Sequence, residues 1–81
     1  MFPSYKLPIP IFNSERGFRC YKLQLETWSK LTHLRKNEHG VVIFMSLSES
    51  IQDSVMNRLS MEIIHSDSGL AELIAVLQEL L

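Results

Sequence analysis

Few residues in this sequence have the types and spacing that chemistry needs. The first set is Asp67-Ser68-Gly69. An Asp in that setting can share one proton with a symmetry mate and activate water for peptide hydrolysis. Such a tripeptide belongs on a loop between strands. Here a Leu- and Ala-rich helical repeat starts at Leu70, so the tripeptide reads as a helix N-cap with Gly in the first turn. His33, His39, His65 and Cys20 are the candidate metal ligands. None stands at a ligand spacing such as C-x2-C or H-x3-H. They read as surface or elbow residues, with His39-Gly40 a detail of a turn or helix start. Gly17, Gly40 and Gly69 are too scattered to build a phosphate loop. No local motif suggests a Ser/His/Asp arrangement. The expectation is no catalytic residue, no metal and no cofactor, hence no enzyme.

The basic residues are the next set. Arg16, Arg19, Lys22, Lys30, Arg35 and Lys36 cluster in the first half. A helix-turn-helix would need a basic recognition helix, and the later helical segments are acidic. RNA contact is therefore expected to be at most weak and nonspecific. Residues 1–45 hold seven Lys/Arg against three Glu, a surplus of +4, while residues 46–81 hold one Arg against six acids, a surplus of −5. A chain divided in this way can meet copies of itself head to tail. The charges also fit plain solvated helix faces. Arg16, Arg19 and Lys22 on one side, with Glu72 and Glu79 on the other, are the candidate assembly patches.

The elements that must position these residues fit one small domain. With 81 residues, 46% apolar and 21% charged, the chain can fold around one core but is marginal in size. The single Cys20 permits no internal disulfide, which fits a reducing, intracellular and cytoplasmic setting. The opening "MFPSYKLPIP" has no apolar core of the signal-peptide type, and no apolar run approaches the ~18 residues of a membrane span.

Residues 1–12 carry Pro3, Pro8 and Pro10, each of which fixes φ and removes a donor. They read as an extended arm. Leu7, Ile9 and Ile11 alternate, so one face of the arm can lie in a groove. Residues 13–81 read as the domain proper. Asn13 or Ser14 caps a first helix running to about Leu31, with Phe18, Tyr21, Leu25, Trp28 and Leu31 on one face. The Lys22–Glu26 and Glu26–Lys30 spacings allow ion pairs. An elbow follows, with Leu34 expected to tuck into the core. Apolar all round, "VVIFMSL" predicts a short central helix over about 37–46, surrounded by the others. A third helix carries Ile51, Val55, Met56 and Leu59, with Ser48 or Ser50 as its cap and Asp53 three residues after Ser50. Residues 61–69 read as a connection anchored by Met61, Ile63 and Ile64. The last helix presents Leu70, Leu73, Ile74, Leu77 and Leu81, with Val76 and Leu80 widening the stripe. Trp28 reads as core, with a binding hot spot as the other use of an indole.

This order of pieces resembles the amino-terminal lobe of Gag capsids in Ty3/gypsy-type retrotransposons and their domesticated, Arc-like relatives. "PIPIFNSERGFRCYKLQLETW" resembles the Pro-Phe arm and first helix of that lobe. "LTHLRKNEHGVVIFMSLSESIQDSV" resembles its elbow, apolar helix and small-residue-rich helix, and "GLAELIAVLQELL" its last helix. The likeness covers roughly residues 8–81 and lies in element order and apolar spacing. It implies an all-α fold: a small orthogonal bundle of about four helices preceded by the extended arm. It also implies self-association into capsid-like, virus-like shells, with the chain itself as partner. A groove on the lobe would hold an extended apolar peptide. Pro8, Ile9, Pro10, Ile11 and Phe12 would fill that groove, against Tyr21, Trp28 and Phe44. Pro- and aromatic-rich peptides from another protein are the alternative occupants, which would make the chain an adaptor. The sequence departs from a full Gag in lacking a carboxy-terminal capsid lobe and a Cys/His zinc knuckle.

Overall fold

The computed structural model describes residues 8–81. The part of the expected arm before Pro8, including Pro3 and Leu7, lies outside the described residues. Among the described residues every regular element is a helix, and there are five: α1 (Gly17–Leu31), α2 (Lys36–Met45), α3 (Glu49–Met56), α4 (Met61–Ile64) and α5 (Gly69–Leu80). The all-α bundle expected from the sequence is observed, with one helix more than the four anticipated. The addition is α4, a single turn inside the expected connection. Ser60 starts it, its hydroxyl accepting from the Ile63 N–H at 3.3 Å. Periodicity could not find it, since four residues cannot display a helical repeat.

The helix starts follow local chemistry. Asn13 makes the turn before α1: its side-chain oxygen accepts from the Glu15 N–H at 2.9 Å, and its carbonyl accepts from Arg16 and Gly17. At α2 the Glu38 carboxylate reaches back to the Arg35 N–H at 2.9 Å and occupies an orphan donor of the first turn. The expected Ser50–Asp53 cap does not form. Ser48 takes the cap position with extended backbone, and Ser50 already lies inside α3. The end of α2 is closed from a distance. Gln52 donates to the carbonyls of Phe44, at 3.1 Å, and Leu47, at 3.0 Å. Ser46 adds a hydroxyl bond to the Ile43 carbonyl at 2.6 Å.

The core contains Tyr21, Leu25 and Trp28 from α1, Ile43 and Phe44 from α2, Val55 and Leu59, Ile64, and Leu70, Leu73, Ile74 and Leu77 from α5. The α5 stripe contacts three neighbours, α2, α3 and α4, which explains its width. Several positions differ from expectation. Leu31 and Leu34 are exposed, so the elbow keeps its leucine outside. Ile63 faces solvent while Ile64 is fully buried. The α2 helix is not surrounded: His39, Gly40, Ile43 and Phe44 are inside, Val41 and Val42 half-buried, and Met45 exposed.

Two glycines let backbones pack closely. A Cβ on Gly40 would stand 2.6 Å from the Ile64 carbonyl oxygen and 2.8 Å from the Gly69 carbonyl carbon. A Cβ on Gly69 would run into that same Ile64 oxygen. The backbones of α2, α4 and α5 therefore meet with no side chain between them, which only glycine allows. This contact accounts for the Gly of Asp67-Ser68-Gly69.

Candidate functional site

The arm residues and α1 together form a groove. Pro8, Ile9 and Pro10 make one wall, and Arg16, Cys20, Leu23, Gln24, Thr27, Trp28 and Leu31 make the other; its volume is about 420 Å³. Two properties of α1 build it. The helix buries Tyr21, Leu25 and Trp28 on its inner side, and it carries a second apolar row on its outer side. In that outer row Leu23 is 58% exposed and Leu31 46% exposed. Trp28 stands between the two sides. It edges the groove yet is only 4% exposed, because its ring packs edge-on against His39 with ring centroids 5.4 Å apart. His39 is thus a buried residue, contrary to the surface or elbow placement expected. Its Nε2 lies 3.1 Å from the Leu34 carbonyl oxygen. As donor there it ties the elbow to the indole.

The residues grouped by sequence do not share one site. Ile11 and Phe12 leave the groove and line a second depression of about 380 Å³ with Tyr21, Leu47, Ile51 and Leu81. Phe12 packs edge-on against Tyr21 at 5.6 Å, and Phe18 meets Tyr21 at 6.2 Å. Burial raises the Tyr21 phenol above its ordinary pKa of 10.0 by desolvating the phenolate. Phe44 is buried in the core and lines neither depression. Lys22 faces a third depression of about 400 Å³, between α1 and α5, with Glu26, Leu70 and Ile74.

The charged residues are distributed along the elements as their sequence halves demand. Arg16 and Arg19 are exposed on or beside α1, and Glu72 is exposed on α5. Glu79, expected to be free for assembly, is held at 2.9 Å by Arg58 in an exposed pair. Among the described residues that is the one salt bridge formed, so the Lys22–Glu26 and Glu26–Lys30 pairs are not made.

No family model, curated protein or solved structure matches the chain.

Among the described residues no group of three or more His, Cys, Asp or Glu is arranged to hold a metal ion. Asp67 lies exposed just ahead of α5, beside Ser66 and Ser68, whose hydroxyls are 3.1 Å apart. Among the described residues no helix is long and apolar enough to cross a membrane. Sequence reasoning missed the second apolar row of α1. Its signal was present in Leu23, Thr27 and Leu31, each four residues from the next, but the stronger aromatic row drew the assignment.

Proposed function

We propose that this chain is a non-enzymatic, intracellular self-association module, serving as the amino-terminal lobe of a Gag-type capsid does. The observation that carries the reading is the open apolar groove on the outer side of α1. A chain of 81 residues has little surface to spare, and contiguous exposed apolar patches mark interaction sites. The division of charge between the two halves supports a copy of the same chain as the partner. The likeness to Gag capsids in element order adds the expectation of repeated, shell-forming contacts. Cytoplasmic residence fits the single thiol. RNA contact by the basic half is weak and follows counterion release alone.

Light-scattering mass across concentration and salt tests this, on the full chain and on one lacking residues 1–12. Growth of mass with concentration, reduced by salt and by removal of the arm, is the expected result. A fixed monomer in both rules the reading out. A second reading, a peptide-binding adaptor, is favoured by the proline-bearing wall of the same groove, Pro8 and Pro10. On that reading the chain lacking residues 1–12 binds added Pro- and aromatic-rich peptides, and a flat titration dismisses it.

A further inference from the structure

Resting on the self-association reading, we propose that copies join head to tail: the outer face of α1, with residues 8–10, receives the α3–α4 corner of the next copy. Three observations converge on this pair of surfaces. The first is apolar content at both. Leu23 and Leu31 are open on α1, and at the corner Met56 is 48% and Ile63 40% exposed.

The second is charge. Arg19 and Lys30 stand four before and seven after Leu23, so helical geometry puts both on its side of α1, and Arg16, just ahead of the helix, lines the groove beside Leu23. Glu26 is the one acid in that row. Around the corner Asp53, Glu62 and Asp67 are all exposed. The basic residue nearby, Arg58, is engaged by Glu79 at 2.9 Å, so it offsets little of the acidic field. A basic rim thus faces an acidic rim around two apolar centres, which sets register and favours encounter.

The third is what a two-fold contact would require. Pairing the groove with its own copy would set one mostly basic rim against another. Pairing the corner with itself would oppose three acids with three acids. Unlike surfaces avoid both, and a contact between unlike surfaces repeats from copy to copy until a ring closes or a filament grows.

Two half-blocked variants decide the matter. Leu23→Asp spoils the groove alone, and Met56→Asp with Ile63→Asp spoils the corner alone. All three positions are exposed, where substitutions seldom disturb folding. Leu23→Gln repeats the groove test should the aspartate unsettle α1. Sedimentation velocity is run on each variant and on their equal mixture, with circular dichroism to verify the helices. Each variant alone should associate at least about tenfold more weakly than the parent chain, a loss of about 1.4 kcal/mol. The mixture should give a species of twice the monomer mass and nothing larger, because one intact groove meets one intact corner. Loss of association with the groove variant but not the corner variant overturns the head-to-tail arrangement in favour of a two-fold one. Association untouched by both variants overturns these surfaces and leaves self-association standing. A parent chain that is monomeric throughout brings down both.

Discussion

The two sides of this small bundle are held by opposite means. On one side α2, α4 and α5 are in backbone contact, with Gly40 and Gly69 closing on the Ile64 carbonyl. On the other, α1 makes fewer close backbone approaches to its neighbours and reaches the core through Tyr21, Leu25 and Trp28. Close backbones leave little to adjust, whereas large side chains bridge a gap and tolerate some change in its width. The side with backbone contact is built for constancy. The α1 side carries the open groove. In a protein that binds through α1, rigidity and recognition would be separated in space.

The comparison can be broken most severely at Trp28. Replacement by Ala should cost roughly 3–5 kcal/mol, as for other large-to-small core changes, a large share of the stability of so small a domain. Hydrogen exchange should then quicken first in α1. An unchanged melting curve would contradict the burial of the indole. Gly69→Ala should act on the other side. The added methyl meets backbone, which cannot rotate away, so about 1–3 kcal/mol of overpacking cost is expected. The exchange that quickens first should lie in α2 and α5, and faster exchange confined to α1 would refute the division of roles.

The smallest effect is sharpest in pH. Tyr21 has its pKa raised by burial from 10.0, so the folded state keeps the proton when the unfolded chain has lost it. The stability this protects is intact below pH 10.0 and is lost as pH rises above it toward the raised value. Tyr21→Phe should flatten the alkaline end of a stability-against-pH curve while changing little at neutral pH. An alkaline limb of unchanged slope would count against the phenol as its source.

How much of this was legible from sequence depends on where the information lies. The inner face of α1 and the stripe of α5 are local patterns, and Tyr21, Leu25, Trp28, Leu70, Leu73, Ile74 and Leu77 are inside as their spacing predicts. Asn13 marked the approach to α1 but not its cap: it closes the turn before the helix, and Arg16 holds the cap position with no side-chain bond. Three features were not legible for a common reason: each joins residues of different elements, beyond the reach of a single helix's pattern. Gly40 and Gly69 have meaning only together. Gln52 closes a helix that ended before its own began. His39 is buried because Trp28 lies against it. The surroundings of α2 failed differently. A segment apolar on every side has no preferred face, so it could not reveal that Met45 would be left outside. Of the candidate site, Pro8, Ile9, Pro10 and Trp28 share the α1 groove, while Ile11, Phe12 and Tyr21 belong to a separate depression. The division falls between Pro10 and Ile11, and no periodicity encodes it.

The single turn of α4 follows a different logic from the longer helices. One turn fixes several backbone angles for hardly any internal bonding, so it has no stability of its own. Its order is borrowed from α2 and α5, which enclose its last carbonyl between two glycines. A state with α4 formed and those helices apart would have to hold the turn without that contact. Four residues in the last third of the chain should then open only together with the glycine-packed side, and the exchange of their amide protons would read that side's cooperativity.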